Sequence, residues 1–379
     1  MTYMAMKKTI YKYFFYEFLR SFFVVVFALA SIIWTIQAVN FLDLVTDDGH
    51  AFKIYLLYSL LAMPKVITKL IPFSFLIASM LTILKFEKDN ELIILWTSGL
   101  NKIYIVNLIF RISILFVFIQ LIMSSLVTPE TLNHSRFLLK NSKLQFVPSL
   151  LKEKQFNDTV EQLTIFVNKK NVDGTYENIF IRDEGKILTN ISETSSTIFA
   201  KSGYVSQDEK SLVLLNGNIQ KLEKNGKISV IKFEKTEMNL SGLSTKTISE
   251  PKIQETSTLQ ILKCFQKKNY YNRNCAHSRN EIYNVKIEIN KRFGIPFFIP
   301  LVALISCFLL SSRRDKKKIF SNKYVVFIFA FLILISSEIS VRYSGFSLHH
   351  TLAYYLLPIL GLPIVYLILI RRFKYENLN

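Results

Sequence analysis

Three stretches without a charged side chain place this chain among membrane proteins. They are residues 21–42, 293–312 and 351–370, and each has at least 20 residues. About 20 apolar residues in a helix span a hydrocarbon core of about 30 Å, because each residue advances the helix by about 1.5 Å. The first stretch is too long for the apolar core of a signal peptide, and no cleavage site of small residues follows it. We therefore predict that all three are transmembrane helices.

Three further apolar stretches complete a predicted set of six spans. They cover residues 54–84, 103–129 and 324–342. A few charged residues interrupt them: Lys65 and Lys69 in the first, Arg111 in the second, and Glu338 and Arg342 in the third. The polar stretch between the third and fourth spans, at about residues 130–290, is long enough to fold as a domain.

The short connections differ in their content of Lys and Arg, which predicts the orientation of the spans. The N-terminal segment, the loop SSRRDKKKIFSNK and the C-terminal segment are basic, whereas DLVTDDGHAFK has one Lys and YSGFSLHH has none. Because cytoplasmic loops carry the excess of positive charge, both termini and the connection at residues 86–102 are expected in the cytoplasm. The domain at residues 130–290 is then expected on the other side. The formal net charge of +19 fits a membrane face near anionic lipid better than nucleic-acid binding.

Between about residues 145 and 250 the sequence changes to short alternating patterns. LTIFVNKK, ENIFIRDE and SLVLLNGNIQKLE alternate apolar and polar side chains, as β-strands do. Three dipeptides predict tight turns between strands: Asp173-Gly174, Asn216-Gly217 and Asn225-Gly226. We predict an all-β sandwich or jelly roll, followed by helical structure over about residues 256–291. The pattern leaves open whether the interior of this domain is a groove or a filled core.

No motif in the sequence indicates that the chain is itself an enzyme. It lacks a Gly-rich phosphate loop with a following Lys-Ser/Thr, an HExxH motif and a GxSxG motif. Its three cysteines do not have the spacing of a metal site, so neither a metal nor a cofactor is expected. Cys307 lies in an apolar span and is expected to be a packing residue. Cys264 and Cys275 lie in the polar region, where they form a disulfide or remain free thiols.

Charged residues inside or beside the spans are the main candidates for function. Lys65 and Lys69 share one helix face, so they either line a cavity that takes an anionic substrate or extend outward to lipid head groups. Two further i,i+4 combinations are expected to form structural ion pairs: Glu288 with Arg292, and Glu338 with Arg342.

The connection FEKDNELIILWTSGLNK at residues 86–102 is polar at its ends and apolar in its middle. A helix that starts near Asp89 or Asn90 could be capped there and could end at Gly99. It would carry three apolar side chains on one face: Leu92, Leu95 and Trp96. Such a face either docks in a groove of a partner or packs against the bilayer or under the bundle, and the spacing alone does not decide.

Four segments resemble, in order along the chain, segments of the lipopolysaccharide-export permeases, the LptF/LptG family. NELIILWTSGLNK at residues 90–102 resembles the family's cytoplasmic segment after the second span, and KLIPFSFLIASML at 69–81 resembles its proline-containing second span. IEINKRFGIPFFIPLVALISCFLL at 287–310 resembles the family's entry into the fourth span, and DGTYENIFIRDEG at 173–185 resembles a strand pair of its periplasmic domain. The resemblance covers essentially the whole chain.

This resemblance implies an α-helical membrane protein with six transmembrane helices and a periplasmic β-jelly-roll domain inserted after the third. Residues 1–129 would hold the first three spans and a cytoplasmic coupling helix at about residues 89–99. Residues 130–290 would hold the periplasmic domain with a connecting helix, and residues 291–379 the last three spans.

The resemblance also implies a function and a set of partners. The chain would be a non-catalytic permease subunit in the bacterial inner membrane, with a sister permease subunit and a cytoplasmic ABC ATPase dimer that hydrolyses ATP. The complex would extract lipopolysaccharide from the membrane and pass it to a periplasmic bridge protein. The family's contact with the ATPase carries over onto Glu91, with Leu92, Leu95, Trp96 and Gly99 in the same segment.

The outer end of the first span favours the F-type over the G-type subunit. G-type subunits are often basic there, whereas this chain has Gln37, Asn40, Asp43, Asp47 and Asp48. A different class of function is a mechanotransmission or sensor protein that is coupled to a cytoplasmic ATPase without moving lipid. Six spans and the pattern of the fourth span count against that class.

Overall fold

The computed structural model of the chain divides into two compact units, which are described separately. One comprises Met1–Trp34, Met63–Leu132 and Lys252–Asn379, and the other Thr35–Ala62 and Asn133–Pro251. The structure describes residues 2–42, 45, 52–141, 151–158, 162–171, 173–184, 195–206, 211–222, 227–239, 252–266, 279–310 and 316–376.

The described residues contain six helical segments that are long and apolar enough to cross a membrane, as predicted. In chain order, spans one to six are Thr9–Asn40, Phe52–Lys88, Lys102–Leu139, Ile282–Leu310, Lys323–Tyr343 and Leu348–Lys374. The helices that build the chain are Thr2–Asn40, Phe52–Leu61, Met63–Lys88, Glu91–Thr97, Lys102–Ile122, Thr128–Asn141, Thr258–Gln266, Arg279–Gly294, Phe298–Ser306, Lys316–Tyr343 and Leu348–Glu376. Shorter turns add a π-helix at Met123–Val127 and 3₁₀ turns at Ile253–Glu255, Ile295–Phe297 and Cys307–Leu310.

The unit that comprises Met1–Trp34, Met63–Leu132 and Lys252–Asn379 is called the helical unit below. Span four forms its centre. In the most apolar 18-residue segment of span four 83% of the residues are buried, whereas in the corresponding segments of spans one and six 17% are buried. Span four contains a 3₁₀ turn at Ile295–Phe297, which includes Pro296. Gly294 lets span six approach closely, since a Cβ there would lie 2.2 Å from the Tyr354 ring. Spans one and six therefore leave most of their apolar surface for lipid or another protein.

Aromatic rings fix span one to spans two and three. The rings of Phe18, Phe75 and Phe116 contact one another pairwise, with centroids between 5.1 and 5.6 Å apart. Edge-to-face contacts at such distances add to the stabilisation that burial of these rings provides. Cys307 is fully buried in span four, as expected for a packing residue.

The second unit contains a six-stranded antiparallel sheet, in agreement with the predicted β domain. Its strands are Phe156–Asn157 (β1), Leu163–Lys170 (β2), Thr175–Asp183 (β3), Ser196–Val205 (β4), Ser211–Leu222 (β5) and Ile228–Asn239 (β6). Each strand pairs with the next in sequence, so the sheet is a meander. Alternate side chains from β2 to β5, such as Ile165, Ile181, Ile198 and Leu214, form its apolar core.

One predicted turn is present and another is wrong. Asp173-Gly174 lies between β2 and β3, where Gly174 has φ 78°. Asn216-Gly217 lies within β5 instead, where Asn216 has φ 52° while the pairing with β4 and β6 continues on both sides of it. Asn tolerates this left-handed conformation better than most residues, so the strand continues through the dipeptide. Asn225-Gly226 lies outside the described residues.

The possible disulfide between Cys264 and Cys275 lies outside the part of the chain that the structure describes. Cys275 lies outside the described residues, and so does the side chain of Cys264. Both alternatives from the sequence, a disulfide or two free thiols, therefore stay open.

Candidate functional site

The helix predicted in the connection between spans two and three is present at Glu91–Thr97, and we call it the short helix. It ends in a Schellman motif, in which the Leu100 amide donates to the Leu95 carbonyl and the Gly99 amide to the Trp96 carbonyl. Gly99 has φ 83°, the left-handed conformation that this motif requires. The buried Leu100 supplies the apolar contact that often follows the motif.

The start of the short helix is fixed by a sharp turn and by a contact with span one. Asn90 occupies the N-cap position with φ 58°, and its side chain forms no capping hydrogen bond. The Tyr13 hydroxyl of span one donates to Glu91 Oε1 over 3.0 Å. Glu91 therefore lies beside the beginning of span one, only partly buried.

The face formed by Leu92, Leu95 and Trp96 packs against the bundle and is not a free docking surface. Leu92 is 5% exposed, and Leu95 and Trp96 pack against the same transmembrane core. The exposed apolar side chains are Ile93 and Ile94, with 58% and 64% of their surface accessible. This seven-residue helix has apolar side chains on two faces. Only its packing against the bundle determines which of the two faces is exposed.

Charged residues around the short helix form contacts between different spans at this end of the bundle. Lys85 of span two pairs with Glu17 of span one, and Lys323 of span five pairs with Glu87 at 2.8 Å. Lys102 lies over the Trp96 ring at 5.8 Å and over the Phe373 ring at 5.7 Å. Spans one, two, three, five and six thus all reach the region around the short helix.

Substitution of Gly99 is expected to loosen the end of the short helix. Gly99→Val is expected to destabilise the helix end by about 1–2 kcal/mol, because a β-branched residue is strained at positive φ. No atom lies within 4 Å of the site of a Cβ, so backbone strain and not a clash is the cause. Gly99→Asn should cost clearly less. Hydrogen exchange of the Leu100 amide measures both, and equal exchange in the two variants would contradict this account.

A pocket lies at the opposite end of the helical unit. Its residues Lys65 and Lys69 belong to the helix Met63–Lys88. Lys69 and Glu87 are 18 residues apart in that helix, so about 27 Å separates them along the axis. This distance is close to the thickness of the hydrocarbon core of a bilayer, about 30 Å. With Glu87 at the head groups of one leaflet, the pocket therefore lies near the head groups of the other leaflet.

The pocket, which we call the lysine pocket, encloses about 560 Å³ of space including its open mouth. Spans two to five and the segment before Thr258 contribute its walls. It is lined by Lys65, Thr68, Lys69, Gln120, Ser124, Thr128, Pro129, Leu132, Gln254, Glu288, Lys291, Arg292, Ile295 and Glu338. Four cations face two carboxylates, so the lining is formally positive.

Arg292 holds the wall of the lysine pocket together. It is 2% exposed, and its Nε donates to Glu288 Oε1 over 3.0 Å, which forms the predicted i,i+4 pair. Its Nη1 donates to the Thr258 hydroxyl at 2.8 Å, and both Nη atoms donate to the Thr256 carbonyl at 3.1 Å. Through these hydrogen bonds the guanidinium group attaches the segment at residues 253–258 to the start of span four.

The second predicted pair, Glu338 with Arg342, is not formed within the described residues. Glu338 lines the lysine pocket and Arg342 is exposed. The i,i+4 spacing allows a contact on one helix face, but the two side chains here meet different surroundings. Lys65 is half-buried and Lys69 is exposed, and both line the pocket, so the cavity and the extension to lipid head groups both stay predictions.

Sequence reasoning missed Gln120, which lines the pocket from span three. Its Nε2 donates to the Thr68 carbonyl over 2.8 Å, and the residue is 3% exposed. Its Oε1 has no hydrogen-bond partner in the described protein. A π-helix, Met123–Val127, begins three residues after Gln120, and such bulges are frequent at functional sites. A polar amide inside an apolar span was the signal available in the sequence.

Comparisons with known proteins cover nearly the whole chain. The profile of a family described as "Lipopolysaccharide export system permease LptF/LptG" matches residues 12–372. An uncharacterized protein of Rickettsia prowazekii (strain Madrid E) is 25% identical over 238 residues, which are 62% of this chain and 64% of that protein. The match thus spans less than two thirds of the relative's length.

Proposed function

The chain belongs to the lipopolysaccharide export system permease LptF/LptG family, and on that premise we propose that it is a permease subunit of an ATP-driven exporter. The exporter extracts lipopolysaccharide from the bacterial inner membrane and passes it to a periplasmic bridge protein. ATP hydrolysis takes place on a cytoplasmic ABC ATPase dimer, and a sister permease subunit completes the membrane part. The family match over residues 12–372 carries this proposal.

The orientation of the chain follows from its charges. The basic N-terminal segment, the loop at residues 311–323 and the C-terminal segment favour a cytoplasmic position for both termini. The short helix lies at the end of the bundle where span one begins, as the contact between Tyr13 and Glu91 indicates. The short helix is then cytoplasmic and the β domain periplasmic.

The short helix is the proposed contact with the ATPase. It presents Ile93 and Ile94 to the surroundings while Leu92 anchors it to the bundle. A helix with one anchored and one free apolar face transmits the movement of a partner's groove to the spans that hold it. Glu91 provides a charge at the edge of this contact, and the Schellman motif keeps the helix end rigid.

Spans one and five would form the contacts with the sister subunit. Both leave large apolar side chains exposed along their length, for example Phe23 and Phe27 in span one and Ile328 and Leu332 in span five. The neutral and acidic residues at the outer end of span one favour the F-type position in the complex.

Purification of the full chain with its candidate ATPase and sister permease tests the function. We expect a stable complex that retains lipopolysaccharide, and that releases it to a periplasmic acceptor only when ATP is hydrolysed. A complex that hydrolyses ATP but neither retains nor releases lipopolysaccharide would instead support a sensor or mechanotransmission protein.

Charge reversal at Glu91 tests the coupling. Glu91→Lys is expected to lower ATPase-driven lipopolysaccharide release about tenfold, because a charge at the edge of an interface is worth about 1–2 kcal/mol. Tyr13→Phe is the matched control, since it removes the hydrogen bond to Glu91 within the chain and leaves the carboxylate in place. Release that falls equally in both variants would show that Glu91 acts through span one and not through the partner.

A further inference from the structure

The last turn of span two carries two ion pairs that reach different neighbours. Lys85 pairs with Glu17 of span one, and Glu87 pairs with Lys323 of span five. Side chains two residues apart in a helix point in directions about 200° apart, because each residue turns the helix by about 100°. The two pairs therefore lie on different sides of span two, and one helical turn connects spans one and five.

A hydrogen-bonded turn joins this part of span two to the short helix. The Asp89 amide donates to the Lys85 carbonyl over 2.9 Å, and the Asn90 amide donates to the Glu87 carbonyl over 3.1 Å. The Asn90 carbonyl in turn accepts from the Ile94 amide of the short helix over 3.3 Å. Because these hydrogen bonds follow one another along the backbone, a tilt of the short helix also moves the turn that carries Glu87.

Span one is held to this region by contacts of several kinds. The rings of Tyr13 and Phe14 lie against the Phe86 ring, with centroids 5.4 and 5.1 Å apart. Phe14 and Phe86 are both fully buried, and Tyr13 also donates to Glu91. The ion pair of Glu17 adds to these contacts. Buried aromatic contacts are costly to separate, so span one is expected to move together with the short helix.

Span five is held at this end by a weaker contact. Within the described residues its only ion pair joins Lys323 to Glu87 at 2.8 Å. The two side chains are 27% and 33% exposed, and Glu87 Oε2 accepts no hydrogen bond in the described protein. A partly exposed ion pair without a charge-assisted hydrogen bond adds little to stability, so it opens at small cost. Only 22% of the residues in the most apolar segment of span five are buried, so few contacts oppose its displacement.

We propose that the ion pair between Glu87 and Lys323 is a latch through which the short helix positions the end of span five. Span one follows the short helix as one body, whereas span five follows it only while the latch is closed. The opposite signs of Lys85 and Glu87 keep the two connections specific, because each residue would repel the partner of the other. The inference rests on the proposed function, in which the ATPase moves the short helix, and it names the pair that carries this movement to span five.

The first test measures lipopolysaccharide release per ATP hydrolysed in the complex of the full chain with its ATPase and sister permease. Glu87→Gln and Lys323→Gln are each expected to lower this ratio about fivefold, because span five no longer follows the short helix. The double variant Glu87→Lys, Lys323→Glu forms the pair with reversed polarity and should restore most of the ratio. Lys88→Gln is the matched control, since Lys88 is an exposed cation of the same turn without an ion pair in the described structure.

A pair that only stabilises the fold would give a different result. It would lower Tm, ATP hydrolysis and release together in Glu87→Gln and leave their ratio unchanged, and that outcome would overturn the latch. Lys85→Gln tests the difference between the two spans. The aromatic contacts of span one remain in that variant, so its ratio should fall clearly less than in Glu87→Gln. Equal losses in the two variants would contradict the assigned roles.

A distance measurement tests the latch without following lipid. Nitroxide-bearing amino acids replace Thr97, at the end of the short helix, and Val325, which is 61% exposed in span five. Electron-spin resonance then compares the distance between the labels with and without a non-hydrolysable ATP analogue. The distance should stay constant in the unaltered chain and shift in Glu87→Gln, because span five then stays behind the short helix. The same response in both chains would overturn the latch.

The outcomes separate this inference from the proposed function. A complex that hydrolyses ATP and releases no lipopolysaccharide, but shows the shift only in Glu87→Gln, would remove the export function and leave the latch standing. ATP-driven release with an unchanged ratio in Glu87→Gln would support the export function and remove the latch.

Discussion

Replacement of Arg292 by methionine is expected to destabilise the helical unit by about 3–5 kcal/mol. Removal of one partner from a buried ion pair leaves the other charge uncompensated, and Glu288 would be that charge. The Thr256 carbonyl and the Thr258 hydroxyl would lose donors at the same time. A thermal unfolding scan of the purified chain measures the effect, and a fall of roughly 10 °C in Tm corresponds to it.

Two further variants show whether the buried pair is the cause. Lys291→Met changes the neighbouring residue, which has no ion pair in the described structure, and should shift Tm only slightly. The double variant Glu288→Leu, Arg292→Met removes both charges and should recover part of the loss, because no unpaired carboxylate remains. An Arg292→Met protein as stable as Lys291→Met would refute the role of Arg292 in holding the pocket wall.

The double variant Ile93→Asp, Ile94→Asp is expected to abolish assembly with the proposed ATPase partner while the chain still folds. Burial of an isoleucine side chain at an interface is worth about 1.5–3 kcal/mol. Loss of both contacts should therefore raise the Kd for the ATPase by roughly 100-fold or more. Both side chains are largely exposed in this chain, so Tm should change little.

A matched variant and the two possible outcomes make this test decisive. Leu348→Asp introduces a charge at an apolar residue that is 73% exposed, at the start of span six, and should leave ATPase binding unchanged. Pull-down of the ATPase by the tagged full chain gives the readout. Unchanged binding by the Ile93→Asp, Ile94→Asp protein would move the contact away from the short helix.

The elements that the sequence predicts well are those that depend on local spacing. About 20 uncharged residues suffice for a span whatever their neighbours are, so all six spans agree with the structure. Alternation of apolar and polar residues likewise suffices for the strands of the sheet. The i,i+4 spacing brings Glu288 and Arg292 into contact because the helix itself sets that distance.

Dipeptide signals proved less reliable, because the surroundings can override them. Asp173-Gly174 forms the turn that its residues favour, whereas Asn216-Gly217 lies inside β5. There the pairing with β4 and β6 on both sides holds the strand together across the left-handed residue. The same local preference thus gives a turn between β2 and β3 but a left-handed residue inside the continuous strand β5.

The sequence by itself determined the number of spans, the class of the inserted domain, the family and the presence of a helix with Glu91 at its start. Only the tertiary structure decided that Leu92 faces the bundle while Ile93 and Ile94 are free, and that Glu338 turns to the lysine pocket. It also placed the unpaired Oε1 of Gln120 among three lysines that lie on two other spans. The physical reason is that periodicity fixes which side chains share a face, whereas packing between distant segments fixes where that face points.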